Sequence, residues 1–287
     1  MPGWRDEVRD AVAHRRTATY AAGVNDEAPS PTAREGRSAR NTFQLLSALT
    51  ARELKLRYQG SIFGWAWSML RPLALGAILS FALGKVLGTG IGAVFLLCGL
   101  FPWFWFQGAV QMSTTTFVGN GGLLKKVRFP REVLPASVVL GNTLQFLLAL
   151  PVLIAFVIGA GSGPAWAWLP GIPLLFVLQL ALIMGMSLFI ASVTVFFRDL
   201  EHLVEVLLTL VFYGTPIIYD IDRIPSGYRW IAWANPLAPI MEGWRDVLLR
   251  GDLPGAGAGA SAGLALVALA AGWVAFRRLE GSFADVV

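Results

Sequence analysis

The sequence contains a single cysteine and little charge. Of its 287 residues, 14% are Asp, Glu, Lys or Arg and 55% are hydrophobic, whereas an average soluble domain carries about 25% charged residues. Cys98 lies inside an apolar run, so the chain offers it no cysteine partner for a disulfide or a cysteine metal cluster. The low charge and the high hydrophobic fraction predict an integral membrane protein.

Acids and histidines are missing from the middle of the long apolar segments, and Arg71 and Lys85 lie near the ends of the first one. No Asp, Glu, Lys, Arg or His occurs in residues 133–197, although proton-coupled transporters need such groups at membrane depth. A phosphate-binding G-x-x-x-x-G-K-[ST] loop is also missing, because Gly84 and Lys85 are followed by Val86. We therefore predict no proton relay, no catalytic residue, no metal site and no cofactor in this chain, and place any ATP and Mg²⁺ on a partner subunit.

The first part of the sequence is polar. Residues 1–42 are rich in Ala, Pro, Ser, Arg and Glu and have no apolar periodicity, which predicts a disordered cytosolic tail before a transmembrane domain at 43–287. In the stretch 43–58, Leu45, Leu49 and Leu56 share one helical face. This pattern fits an amphipathic helix in the membrane interface, or an ordinary helix packed on protein.

Apolar segments that suit membrane-crossing helices fill the rest of the chain. An apolar helix needs about 20 residues to cross the hydrocarbon, and Pro102 predicts a kink or break in the second segment. The sequence thus predicts an all-α polytopic membrane protein with six transmembrane helices. The predicted spans cover residues 68–87, 93–117, 133–158, 170–197, 203–218 and 261–276.

Positive charge is unevenly divided between the connections. Lys and Arg are concentrated before the first span and between the second and third spans, whereas the first and third connections hold none. Cytoplasmic loops carry the excess of Lys and Arg. Both termini and the second connection are therefore predicted to be cytosolic. Helical rather than barrel spans favour the bacterial inner membrane.

The second connection mixes apolar and basic side chains. A short helical turn here, ended by Pro130, would present apolar knobs and positive charge to a partner, although the cations could also serve only to anchor the loop on its side. The candidate docking residues are Leu123, Leu124, Lys125, Lys126, Val127, Arg128, Phe129, Pro130, Arg131 and Glu132.

Five short segments occur in a distinctive order after residue 43. They are Arg57–Gly64 with Trp67 and Pro72, Gly122–Pro135, Phe197–Asp199, Thr215–Tyr219, and Asn235-Pro236 with Glu242-Gly243 and Arg245. Together they resemble the transmembrane subunit of ABC-2 type exporters, in the branch that moves lipid-linked O-antigen, capsular or teichoic-acid-type polymers. Phe63 and Arg71 depart from this pattern, since Leu and Asn are commoner there.

The resemblance implies partners and a gate. It implies a second copy of the chain, two copies of a cytosolic ABC ATPase that bind the second connection, a lipid-linked glycan substrate and surrounding membrane lipids, with no nucleic acid. It also implies short helices that re-enter from the outer face between spans five and six, for which a plain interfacial loop is the alternative. The candidate outer-gate residues are Trp230, Trp233, Asn235, Pro236, Glu242 and Arg245.

A glycan path needs cations for phosphate and flat rings for sugar faces. Arg57, Tyr58 and Arg71 are candidates for contact with a phosphorylated headgroup, although the arginines could simply snorkel or bind phospholipids. Because adjacent aromatics point in different directions, several of the first four ring candidates are expected to face lipid. The ring candidates are Trp103, Phe104, Trp105, Phe106, Phe212 and Tyr213.

Two other functions fit parts of the sequence. An ABC-2 exporter of drugs, peptides or lipids would share the docking and gate segments. A membrane enzyme acting on lipid-linked glycans would need acids or basic clusters in a large outer loop, and the fifth connection offers a few. The match at Gly122–Pro135 favours the polymer exporter.

Overall fold

The computed structural model describes residues 31–61, 63–126, 129–197, 199–255 and 257–283. The chain forms two units, Met1–Asn41 and Thr42–Val287. Of the predicted tail, residues 1–30 lie outside the described residues. A helix begins at Pro31 and ends at Tyr58. The predicted disorder of the remaining tail residues therefore differs from the helix found there.

Helices make up the described chain, without a strand in the parts described. This confirms the all-α prediction. The α-helices are α1 (Pro31–Tyr58), α2 (Ala66–Leu79), α3 (Ala93–Ser113), α4 (Thr116–Gly119), α5 (Gly121–Lys126), α6 (Val133–Gly159), α7 (Trp168–Thr194), α8 (Leu200–Gly214), α9 (Arg229–Ala234), α10 (Leu237–Arg245) and α11 (Gly257–Leu279).

Two of these helices continue directly as π-helices. Helix α2 runs directly into a π-helix, Ser80–Val86, and α10 into a second one, Asp246–Arg250. Short 3₁₀ turns at Ile221–Arg223 and Ser226–Tyr228 precede α9, and a third at Glu280–Ser282 follows α11. π-Helical turns are rare and occur often at functional sites.

Five of the described helices are long and apolar enough to cross a membrane. They correspond to the predicted first, second, third, fourth and sixth spans: α2 with its π-helical end, α3, α6, α7 and α11. Helix α8 lies in the predicted fifth span but has only 15 residues, about 22 Å at the usual rise, against about 30 Å of hydrocarbon. A sixth span therefore stays a prediction.

Helix α3 lies at the centre of the bundle. Its side chains are mostly buried, from Leu96 to Ser113, and it packs against α2, α6, α7, α8 and α10. Pro102 lies inside the helix without ending it, because surrounding helices stabilise such a position in a membrane bundle. The helix instead ends at Ser113, four residues before the predicted boundary.

The closest helix pair is α7 with α11. A Cβ atom on Gly185 would lie 2.5 Å from the backbone of Ala268, and one on Gly272 would collide with the carbonyl group of Gly185. Small residues allow this kind of backbone contact between membrane helices. The last span is thereby held directly against the fourth.

A second apolar cluster closes one end of the bundle. We call this end the basic end, because the loop that carries Lys125 lies there. Phe117, Phe276 and Phe283 lie in the cluster's interior. Its other buried members are Leu49, Val133, Leu134, Leu188, Ala191 and Val195.

Candidate functional site

Two adjoining cavities of about 450 and 440 Å³ lie along one side of the bundle. They share Arg71, Phe104 and Gln107, so we describe them as one groove. The first cavity is also lined by Arg57, Trp67, Ser68, Gly108, Gln111, Met112, Asn142, Gln145 and Glu205. The second is also lined by Ala74, Leu75, Ile78, Trp103, Thr209, Phe212 and Tyr213.

Arg57 places a cation at the first cavity from the end of α1. Its guanidinium donates a hydrogen bond to Asn142 Oδ1 at 3.2 Å and contacts Met112 Sδ. Burial lowers the pKa of Arg57, and the hydrogen bond and charge of Tyr58 oppose that shift. Arginine side chains are not deprotonated in proteins, so Arg57 brings a positive charge to the cavity. The headgroup candidate Tyr58 is half-buried and is not among the residues that line the described groove.

Arg71 connects the two halves of the groove. It is exposed on α2, and its guanidinium carbon lies 4.7 Å from the centroid of the Phe104 ring. This distance is within the range of a cation–π interaction. The headgroup candidate is therefore held over one of the aromatic candidates, which places positive charge beside a flat ring.

Four of the six aromatic candidates converge on the second cavity. Phe212 and Tyr213 from α8 lie opposite Trp103 and Phe104 from α3. Trp103 is buried and its ring centroid is 5.4 Å from that of Phe212. Tyr213 is 62% exposed and can contact a molecule in the cavity.

The other two aromatic candidates belong to the interior. Trp105 stacks on Phe146 at 4.4 Å and on Phe176 at 5.1 Å, and its indole N–H donates to Thr143 at 3.2 Å. Phe106 is buried beside Trp103. We expected several of the four aromatics in residues 103–106 to face lipid, and that expectation was wrong, because α3 is surrounded by other helices.

Neutral polar side chains of the groove were missed in the sequence. Gln107, Gln111, Asn142 and Gln145 lie at or near the first cavity although they occur in apolar spans. Polar residues in membrane segments usually face the protein interior or a cavity. Their presence in α3 and α6 was the signal that could have found them.

The docking residues 123–132 of the second connection, which we call the basic loop, are partly covered by their own chain. Leu123, Leu124 and Phe129 pack against the apolar cluster at the basic end, whereas Lys125 and Pro130 are exposed. Val127, Arg128 and the side chain of Lys126 lie outside the described residues. Helix α5 ends at Lys126, so the helical turn forms, and Leu123, Leu124 and Phe129, which we expected to face a partner, are half-buried against this chain.

The amphipathic stretch packs on the basic end. Leu45 and Leu49 contact the same apolar cluster, and Arg52 donates to Asn120 Oδ1 at 2.8 Å. Leu56, predicted on the same face, is 54% exposed. In the part of α1 that belongs to the second unit, packing on protein therefore accounts for two of the three leucines.

A buried arginine organises the end of the bundle opposite the basic end. The Arg245 side chain is 1% exposed and donates hydrogen bonds of 2.6 Å to the carbonyl oxygens of both Pro216 and Ile217. It also pairs with Glu242 at 3.2 Å and lies 3.9 Å from the Phe95 ring centroid. Arg245 thus joins α10 to α3 and to the segment that follows α8.

A network of charges surrounds this arginine. Arg250 pairs with Glu242 at 2.6 Å, with Asp220 at 3.4 Å and closely with Asp246. Arg250 was not among the predicted site residues, although Asp246 and Arg250 have the i, i+4 spacing of helical ion pairs. The described residues contain no group of three or more His, Cys, Asp and Glu side chains suited to a metal ion.

The remaining gate candidates have separate environments. Asn235 donates to Thr215 Oγ1 at 2.7 Å, and the carbonyl of Pro236 accepts from Ser261 at 3.4 Å. Trp230 is 67% exposed. The side chain of Trp233 lies outside the described residues. The structure thus brings Asn235, Pro236, Glu242 and Arg245 into contact with neighbouring elements and leaves Trp230 on the surface.

Comparison with known proteins identifies the family. Residues 44–249 match the ABC-2 type transporter family. The chain is 40% identical to an O-antigen export system permease protein RfbA of Klebsiella pneumoniae, over 74% of this chain and 82% of that protein. It is 34% identical to an RfbA of Myxococcus xanthus, over 74% and 83% of the two chains. It is 25% identical to the polysialic acid transport protein KpsM of Escherichia coli, over 74% and 86%. The chain belongs to the ABC-2 type transporter family.

Proposed function

We propose that this chain is the transmembrane, channel-forming subunit of an ABC exporter that moves lipid-linked polysaccharide from the cytosol across the bacterial inner membrane. The observation that carries the proposal is the groove, in which Arg57 and Arg71 lie next to the aromatic side chains of α3 and α8. The relatives named for O-antigen export and polysialic acid transport support this class of substrate.

The groove offers different chemistry at its two halves. The first cavity presents Arg57 and several amides, which suit phosphate oxygens and sugar hydroxyls. The second presents the rings of Trp103, Phe104, Phe212 and Tyr213, on which the CH faces of sugars can stack without a fixed hydrogen-bond geometry. A phosphate-linked glycan would therefore place its anionic junction near Arg57 and slide its sugars along the rings.

A second copy of the chain would complete the path. The first span is mostly unburied, and Ile78 and Phe81 on it are 64% and 65% exposed. Helix α8 similarly exposes Val206 and Leu210. These apolar faces border the groove, so a symmetric partner packed on them would turn the groove into an enclosed channel.

Energy would come from a cytosolic ABC ATPase, bound in two copies. The exposed Lys125 and Pro130 at the basic end are available for that contact. In this arrangement, ATP binding moves the loop, and α6, which begins at Val133, carries the movement into the membrane. The chain itself contributes transport and no catalysis, and six spans keep both termini cytosolic.

The location of the polymer in cells depleted of this protein tests the proposal. A membrane-impermeant glycan probe is applied to intact cells and to inverted membrane vesicles, and polymer length is measured in both. We expect full-length lipid-linked polymer trapped on the cytosolic face. Short or absent polymer would indicate an enzyme of synthesis, and normal polymer outside would exclude this export role.

Variants of Arg71 make the same assay specific for the groove. Arg71→Leu removes the cation held over Phe104, and we expect polymer to accumulate on the cytosolic face. Arg223→Leu is a matched control, because Arg223 donates to the carbonyl of Thr89 and does not line the described groove. Equal export by the two variants would contradict the role of the groove cation.

A further inference from the structure

We propose that residues 277–283, from the last turn of α11 to Phe283, form a positioning element that holds the basic loop in place for the partner ATPase. The inference rests on the proposed function, since it assumes that the loop meets an ATPase. We call the contacts between the two segments the clasp. Its members are Arg131 and Glu132 on the loop side, and Arg277, Glu280 and Phe283 on the C-terminal side.

Reciprocal polar contacts join the two sides of the clasp. Arg131, at the end of the loop, donates a hydrogen bond to the backbone carbonyl of Glu280. Arg277, in the last turn of α11, pairs with Glu132 at 3.5 Å and with Glu280 at 3.0 Å. Each side therefore contributes one arginine to the other, which fixes both the separation and the register of the segments.

An aromatic anchor accompanies these contacts. Phe283 is fully buried, with ring centroids 4.7 Å from Phe117 and 5.7 Å from Phe276. The guanidinium carbon of Arg131 lies 5.9 Å from the Phe283 ring centroid. Phe117 belongs to α4, which leads into the loop. Phe283 thus contacts elements on both flanks of the loop.

The two kinds of contact have different strengths. The side chains of Arg277, Glu132 and Glu280 are 47%, 26% and 26% exposed, and ion pairs near water contribute little stability. Burial of a whole phenylalanine side chain contributes much more. Phe283 is therefore the anchor, and the ion pairs align the loop.

The clasp also gives the loop a connection to the membrane helices. Helix α11 packs backbone to backbone on α7 through Gly272 and Gly185. A movement of the loop is therefore passed to α11 and α7 as well as to α6. The C-terminal side of the clasp lies outside the stretch 44–249 that matches the transporter family.

Variants of two neighbouring arginines on α11 test whether the ion pairs align the basic loop. The complete exporter with its ATPase is reconstituted in proteoliposomes, and export and ATP hydrolysis are measured together. Arg277→Ala breaks both ion pairs, and we expect export per ATP hydrolysed to fall about fivefold, at the lower end of the usual range of coupling between sites. Arg278→Ala removes the same charge from an exposed neighbour that forms none of the salt bridges described, and we expect no change.

The role of Phe283 as the anchor is tested by comparison with a variant that loses another buried apolar side chain elsewhere in the protein. Phe283→Ala and Leu153→Ala each remove a fully buried apolar side chain. Leu153 lies in the larger apolar core around α3, separate from the cluster at the basic end. Both should lower the midpoint of thermal unfolding. Only Phe283→Ala should lower export per ATP, and Phe283→Leu should restore most of it.

The outcomes separate the two proposals. The clasp would be overturned if export per ATP hydrolysed were the same in Arg277→Ala and Arg278→Ala, or the same in Phe283→Ala and Leu153→Ala. In that case, export by the wild-type protein would still support the proposed function. If the wild-type protein neither binds the ATPase nor exports glycan, the proposed function itself fails. Since Arg277 is half exposed, its variant tests the clasp even if Phe283→Ala does not fold.

Discussion

At the residue scale, Arg245 shows how one buried cation can stabilise irregular backbone. The segment Thr215–Ile217 follows the end of α8, and its carbonyl groups have no helical partners there. Arg245 supplies two of these partners through its rigid, planar guanidinium. Glu242 supplies the counter-charge, and Arg250 in turn pairs with Glu242.

Replacement of Arg245 by lysine should therefore be costly. An ammonium group cannot reproduce the paired geometry toward two carbonyls, and each buried group left without a partner costs about 1 to 3 kcal/mol. We expect a clearly lower midpoint of thermal unfolding in detergent. Arg229→Lys is the control, because Arg229 is 45% exposed and its pair with Asp222 is long, at 3.7 Å. A similar loss in both variants would contradict the role given to Arg245.

At the element scale, the pairing of α7 with α11 depends on two glycines. Gly272→Ala would force the backbones apart, and small-to-large changes in a packed interior cost about 1 to 3 kcal/mol. Gly263→Ala on the same helix is the matched control, since its Cβ would meet nothing within 4 Å. We expect thermal unfolding at lower temperature only for Gly272→Ala, and equal stability of the two variants would be inconsistent with the contact.

The positions of the long helices could be predicted from the sequence better than their exact ends and their packing. Five predicted spans appear as long helices because apolar length is a local property. The fifth predicted segment remains apolar through residue 218, but its helix ends at Gly214, before Thr215 and Pro216. The apolar pattern of the sequence did not predict the π-helical ends of α2 and α10.

The candidate site was predictable to a similar extent. Residue type, together with the glycan substrate that the family resemblance implies, was enough to select Arg57, Arg71 and four of the aromatics that line the groove. It could not show that Trp105 stacks on Phe146, since the helix that covers a side chain comes from distant parts of the chain. Burial of three of the four aromatics at 103–106 followed from that tertiary packing.

At the scale of the whole molecule, the two ends of the bundle differ in how they are held together. The basic end is closed by an apolar cluster and by the clasp, whereas the opposite end is organised by Arg245 and Arg250 with their acids. The groove runs along the bundle between these ends. Helix α8, which forms one wall of the groove, has 15 residues and is shorter than α3, α6 and the combined α2 and π-helix, which line it as well.

That shortness has a consequence for the surrounding lipid. A helix of 15 residues is about 8 Å shorter than the usual hydrocarbon thickness, so the bilayer should thin where lipid borders α8 outside the contact with the second copy, and favour lipids with short acyl chains. A thinner bilayer shortens the distance that a polar headgroup must travel. Export in proteoliposomes should therefore quicken as acyl chains are shortened within a monounsaturated series, and a rate independent of chain length would argue against thinning. The groove would then work partly by reshaping the membrane that its substrate has to cross.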